Sequence, residues 1–280
     1  FLGTEPAYFL MLPLFFWLVQ RSFGRRLGYI FVLAVYLNSF FKNLFGLPRP
    51  FQIDDRVVRL VAQDGYGLPS GHSMTPLALW GYVAWQWRRR LPWLAPVVAV
   101  GVALIAFSRL YLGVHFPADV LTGLALGLIV LAAFVKFQPE VARWITQSDD
   151  RTALALGVAV PLALLLLMPG DESGYPAEGG ATITGMLLGA NIGFFYEARR
   201  VRMAVAGSVG RRVMRYVLGL AMVVVFWIGL RLLFGLIPGG HAAAIALRFI
   251  RYAITGCALT WWAPAAFVRL GLAGQEEPSG

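Results

Sequence analysis

"SRLYLGVHFPADVLTGLALGLIVLAAFVKF", Ser108 to Phe137, decides how the chain is read. From Pro117 onward it carries only two charges, Asp119 at the start and Lys136 near the end. Its length matches the roughly 20 mostly apolar residues a helix needs to cross a bilayer. Pro117 suits a helix start, because proline lacks only an N–H that the first turn leaves unpaired. Immediately before this span stand Arg109 and His115, polar groups that a purely structural crossing has no use for.

Similar windows recur on both sides. Apolar stretches near 7–20, 27–45, 72–87, 93–112, 117–137, 152–169, 180–197, 215–236 and 252–268 read as nine crossings. The chain is 59% hydrophobic and 14% charged, outside the range of an average soluble domain. Segments of alternating hydrophobicity, as in a membrane β-barrel, do not occur. The fold class is therefore all-α, a polytopic membrane helix bundle. The first window is short for a full span and the chain opens on Phe1, so further N-terminal sequence is expected. A lone cysteine, Cys257, excludes an intramolecular disulfide, and no cysteine cluster suggests a zinc site.

The net charge of +10 is a matter of topology. If the links alternate sides, most of the Lys and Arg fall on one of them: Arg21, Arg25 and Arg26, Arg88 to Arg90, Lys136, Arg143 and Arg151, and the cluster from Arg199 to Arg215. That side is cytoplasmic by the positive-inside tendency. Anionic headgroups account for the basic links, and no strand-rich module supports a nucleic-acid partner.

A polar stretch, 138–151, divides the chain. Residues 1–137 form one expected domain, 152–270 a group of about four further spans, and 271–280 a polar tail, expected to be disordered from Gly274 to Gly280. In the second half Gly185, Gly189 and Gly193 repeat every four residues, a stripe that lets helices approach closely in lipid and that could also carry a homodimer. Residues 241–251 read as an amphipathic helix lying in the interface. The link 168–180, "MPGDESGYPAEGG", sets Asp171, Glu172 and Glu178 against no cation, as a solvated loop would.

Three segments bear chemistry, and the spans return all three to the cation-poor face. "KNLFGLPRP" contributes Lys42 and Arg49, "YGLPSGHSM" contributes Ser70, Gly71 and His72, and the opening stretch contributes Arg109, His115 and Asp119. Four positions separate His115 from Asp119, which places both on one helical face. The carboxylate can then hold one ring nitrogen and leave the other as a lone-pair donor. In isolation such a pair equally describes a helix N-terminus beside an interfacial histidine. "PSGH" reads as a turn and helix start with Ser70 as N-cap, where free N–H groups attract an anion; alone it is also an ordinary capped helix. The cations are harder to dismiss. A buried cation seeks a partner, and three of them exceed what Asp119 supplies, whereas phosphate oxygens suit arginine forks and a lysine point charge.

Together "K-x6-RP" (Lys42, Arg49, Pro50), "PSGH" (Pro69 to His72) and "SR-x5-H-x3-D" (Ser108, Arg109, His115, Asp119) resemble the three-part signature of the type 2 phosphatidic acid phosphatase (PAP2) superfamily of membrane lipid phosphatases, in order and with matching internal spacings. The resemblance implies a PAP2-like catalytic core followed by additional spans. It implies that His115 attacks phosphorus with Asp119 orienting it, that His72 protonates the leaving oxygen, and that Lys42, Arg49, Ser70, Gly71 and Arg109 hold the phosphoryl oxygens. It also implies no metal or cofactor and an amphiphilic substrate such as a lipid phosphate or polyprenyl pyrophosphate; the charge asymmetry of the links puts the expected site on the extracytoplasmic face of an integral protein, expected in the plasma (inner) membrane. The rival from another class is a transporter that binds the anion without hydrolysis; internal repeats would favour it, and none is apparent.

Overall fold

The structure, a computed structural model, describes residues 5–170 and 178–277. Among these residues it is helical throughout, with no strand. Eleven α-helices occur in order: α1 (Glu5–Leu14), α2 (Arg21–Phe45), α3 (Pro50–Ile53), α4 (Gly71–Trp87), α5 (Leu94–Tyr111), α6 (Pro117–Gln147), α7 (Asp150–Leu167), α8 (Glu178–Tyr196), α9 (Val209–Gly235), α10 (His241–Cys257) and α11 (Ala263–Arg269). Single π-helical turns extend α1 and α8 and join α10 to α11.

Among the described residues, six helical runs are long and apolar enough to cross a membrane: Arg21–Ile53, Leu94–Tyr111, Pro117–Gln147, Asp150–Leu167, Val209–Gly235 and His241–Arg269. The other three of the nine expected crossings, 7–20, 72–87 and 180–197, are helices that miss that standard. α4 is only 17 residues long, and both α4 and α8 are largely buried. Along α4, residues Ser73 to Pro76, Ala78 and Leu79 are all buried, and α8 buries every residue of its glycine stripe. Helices that face protein need not be uniformly oily. The outer helices show the opposite pattern: Leu104 and Phe107 on α5 and Leu166 on α7 are exposed, as side chains facing lipid would be.

The chain divides into two compact units, 1–8 with 27–144, and 9–26 with 145–280. The first apolar run, expected within a 1–137 domain, thus contributes residues 9–19 to the second unit. Trp17 explains it. Fully buried, it donates from Nε1 to the Leu259 carbonyl at 3.1 Å and packs edge-on against Phe267 with centroids 5.4 Å apart. The units part after Trp144, within 138–151, and that stretch is mostly helical: α6 runs to Gln147 and Asp149 caps α7 by accepting from the Arg151 and Thr152 amides.

In the first unit, α6 lies hard against the beginning of α4. A Cβ on Gly123 would come within 2.5 Å of the Ser70 carbonyl oxygen, and one on Gly127 within 2.8 Å of that of Met74. In the second unit the stripe on α8 does the same against α10, where side chains at Gly185 and Gly189 would collide with the carbonyls of Phe249 and Ala253. The stripe read as a homodimer surface is therefore occupied within the chain.

The second unit adds detail to several expectations. Residues 241–251 form the first turns of α10, in a helical run that continues to Arg269. Glu178 pairs with Arg248 of that run; Asp171 and Glu172 lie outside the described residues. The tail is ordered through Glu277: Ala204 donates to the Gly274 carbonyl at 2.8 Å and Glu276 to that of Arg202 at 2.7 Å. Residues 278–280 lie outside the described residues. Arg215, counted with the exposed basic links, is wholly buried among the carbonyls of Trp17, Ala204, Val205 and Ala206 at 2.9 to 3.4 Å.

The glycine packing has a measurable consequence. Gly189→Ala forces α8 and α10 apart and is expected to destabilise the chain by about 1–3 kcal/mol. Gly229→Ala on α9 meets nothing within 4 Å and gains up to about 1 kcal/mol of helix propensity. Thermal unfolding in detergent should therefore separate the two variants in opposite directions from the parent; a Gly189→Ala chain with unchanged Tm would contradict the close contact.

Candidate functional site

All eight residues singled out in the sequence belong to the first unit. The site is built on the start of α6. Pro117 occupies the first helical position, and Asp119 in the first turn accepts the Phe116 amide on Oδ2 at 3.0 Å, as the acidic half of a capping box does. The same Oδ2 lies 3.2 Å from His115 Nδ1. Both side chains are buried. The two readings of this pair, helix capping and imidazole orientation, are thus satisfied at once by one oxygen.

On its other side His115 meets Arg49. Nη1 of Arg49 stands 3.2 Å from His115 Nε2. A guanidinium only donates, so Nε2 is the accepting nitrogen and the proton sits on Nδ1, toward the carboxylate. Arg49 is 2% exposed and is locked by carbonyls: Val114 at 2.9 Å from Nη1, Gly65 at 2.9 Å from Nε and Asp64 at 3.1 Å from Nη2. Lys42, at the far end of α2, donates to the carbonyls of Tyr66 and Gly67. Four consecutive carbonyls, 64 to 67, therefore hold the two cations in place of an anion. Gly67 must be glycine, since a Cβ there would lie 2.9 Å from Asp119 Oδ2 and 3.1 Å from the Pro48 carbonyl.

The turn before α4 closes the site. Ser70 donates its amide to the Asp119 carbonyl at 2.9 Å, tying this turn to α6. It takes the N-cap position expected of it, yet its hydroxyl makes no cap bond; buried, it accepts from Ser73 Oγ at 3.2 Å. The amides of Gly71 and His72 consequently have no partner among the described residues, which leaves a helix N-terminus able to take an anion. The imidazole of His72 makes no hydrogen bond among the described residues, and it lies within electrostatic range of Arg109, His115, Lys42 and Arg49. Arg109 is the least engaged of the set, bonding only to its neighbour Ser108 Oγ at 3.1 Å from Nε and Nη2.

Sequence reasoning passed over Asn38. Buried on α2, it donates from Nδ2 to the Pro69 carbonyl at 3.0 Å, and its Oδ1 would stand 2.8 Å from a Cβ on Gly71. Its spacing of four residues before Lys42 was the available signal, because that puts both on one face of α2.

Burial pushes the His115 imidazole below the ordinary histidine pKa, and Arg49 and Lys42 push the same way; the hydrogen bond it donates to Asp119 and that carboxylate's charge oppose them without prevailing. Neutral imidazole is therefore the resting form at neutral pH. No group of three or more His, Cys, Asp or Glu side chains that could hold a metal occurs among the described residues.

Comparison with known proteins identifies the family. Residues 23–143 match the model of the PAP2 superfamily, and residues 181–275 match that of the PAP2 superfamily phosphatase transmembrane extension. The chain belongs to the PAP2 superfamily and is an integral membrane protein. Its second half is thereby accounted for as a family extension. Lipid phosphate phosphatase delta of Arabidopsis thaliana is 27% identical over 66% of this chain and 48% of its own length. Sphingosine-1-phosphate phosphatase 2 of Homo sapiens is 32% identical over 69% of this chain and 49% of its own. The chain spans about half the length of these two relatives. A crystal structure of a transmembrane PAP2 type phosphatidylglycerolphosphate phosphatase from Bacillus subtilis is 26% identical, with a TM-score of 0.43, over 50% of this chain and 73% of that one.

The imidazole should be visible by titration. With nitrogen-15-labelled histidine, NMR is expected to place the His115 midpoint below about 6.5, the ordinary value. Asp119→Asn should move it lower still, since the carboxylate is the raising influence. A midpoint above 6.5 would contradict the balance of burial over pairing.

Proposed function

We propose that the chain is a membrane phosphatase that hydrolyses a lipid phosphate through a phosphohistidine intermediate. One observation carries this reading: a buried neutral imidazole, aimed by a carboxylate through Nδ1, presents Nε2 to a buried arginine. That is how an activated nitrogen nucleophile and its phosphoryl-binding cation would be arranged.

In the proposed reaction, phosphoryl oxygens replace the carbonyls 64 to 67 on Lys42 and Arg49. The amides of Gly71 and His72, the Ser70 hydroxyl and Arg109 complete the cradle. Nε2 of His115 forms a bond to phosphorus as the P–O bond to the lipid breaks; His72, neutral at rest beside these cations, takes up a proton as the negatively charged phosphate binds and gives it to the departing oxygen. Water then attacks the phosphohistidine, His72 takes a proton from it, and phosphate leaves with His115 restored to neutrality. Developing charge on the equatorial oxygens is matched by donors already in place, which is where most catalytic stabilisation arises.

The relatives' names favour a sphingoid phosphate or another lipid phosphomonoester; a polyprenyl pyrophosphate offers the same terminal phosphoryl group. The site faces the extracytoplasmic side of the plasma (inner) membrane by the charge asymmetry of the links, and the substrate arrives laterally from the leaflet.

Phosphate release from sphingoid and glycerolipid phosphates in detergent micelles tests the assignment. His115→Ala should abolish turnover, and His72→Ala should lower it by about 10²–10⁴-fold, the usual weight of a general acid. A phosphoprotein stable to base and labile to acid should appear in the parent and be absent from His115→Ala. Full turnover by His115→Ala would end the proposal.

A further inference from the structure

The second unit contains a cavity of about 610 Å³, within the size range of small-molecule sites. Arg21, Arg25, Glu197 and Glu276 supply its charged wall, and Phe16 and Phe194, edge-on at 5.1 Å, part of its apolar one. All of these residues belong to that unit.

Internal bonds use only part of the polar wall. Arg21 donates to Glu197 Oε1 at 2.6 Å and also to Glu276 Oε2; the Met203 amide donates to the same Glu197 oxygen at 3.0 Å. Arg215 takes the carbonyls of Ala204, Val205 and Ala206. The remaining capacity is two-sided. The Arg25 guanidinium and the amides of Val205 and Ala206 have no partner among the described residues, and neither do Glu197 Oε2 and Glu276 Oε1.

The four charged side chains of the wall cancel, so unsatisfied donors and unsatisfied acceptors face one space of zero net fixed charge. A bare anion would leave the carboxylate oxygens uncompensated, and a bare amine would leave Arg25 so. A ligand bearing both charges satisfies every group. Adjacent amides beside an arginine fork suit phosphate oxygens, and carboxylate oxygens suit a protonated amine that retains N–H donors.

We propose that this cavity binds a zwitterionic ammonium–phosphate headgroup, with phosphate on Arg25 and the Val205 and Ala206 amides, and ammonium on Glu197 and Glu276. Such a group is carried by an aminophospholipid or by a soluble phosphoamine. The site is separate from His115 and does not rest on the phosphatase reading.

Native mass spectrometry of the full chain released from nanodiscs tests it, with phosphatidylcholine as host and equal minor fractions of phosphatidylethanolamine and phosphatidylglycerol. Phosphatidylethanolamine is expected to be retained selectively, since the trimethylated host amine has no N–H to donate. Arg25→Gln removes no bond within the chain and should cut retention about tenfold, the scale of one charge-assisted hydrogen bond. Glu276→Gln should act in the same direction. His115→Ala should retain the lipid as the parent does, which keeps this test independent of turnover. Added soluble phosphoethanolamine that displaces the lipid at millimolar concentration supports the headgroup chemistry with a soluble source; no displacement supports it with a lipid source. Preference for phosphatidylglycerol, no selectivity, or retention unaffected by Arg25→Gln would overturn the proposal.

Discussion

Asp119 Oδ2 receives two donors, the Phe116 amide at 3.0 Å and His115 Nδ1 at 3.2 Å, and the arrangement of the first unit results from satisfying that oxygen out of water. A buried carboxylate must be hydrogen-bonded or it is costly. Here the backbone of the helix start and the imidazole share the task, so the local fold and the orientation of His115 cannot vary independently. Gly67 is pressed against the same oxygen, and the Asp119 carbonyl accepts the Ser70 amide. Two stretches far apart in the chain, 67–70 and 115–119, are registered on one residue.

The resting state of the cations is equally constrained. Lys42 and Arg49 donate chiefly to backbone carbonyls, with His115 Nε2 a further partner of Arg49, which keeps buried positive charge partnered without a ligand. Carbonyls are weaker partners than phosphate oxygens for a guanidinium, because the latter bring full charge and a matched fork. In the proposed reaction the segment 64–67 is therefore an exchangeable stand-in, and the loop that carries it is bound to respond when substrate arrives.

The second unit shows the same economy with different groups. Arg215 gathers three consecutive carbonyls at 204 to 206 and a fourth from Trp17. That fixes the segment along which the tail pairs, and it leaves two amides of the segment unspent beside Arg25. A family extension whose sequence reads mostly as membrane spans thus contains a polar interior of its own.

How much of this was legible in the sequence depends on the distance over which each feature is decided. Helices, their approximate limits and the His115–Asp119 pairing come from the chain alone, because hydrophobic length, a proline at a helix start and an i,i+4 spacing are properties of one local backbone. The three motifs carried the family for a similar reason, since chemistry restricts residue types within short windows. The partner of the glycine stripe, the hidden positions of Arg215 and Asn38, the ordered tail and the transfer of residues 9–19 to the second unit were decided only in three dimensions. Each depends on contacts between segments remote in the chain, where whether a glycine meets a neighbour's carbonyl or an arginine meets water is a question of packing that no local pattern encodes.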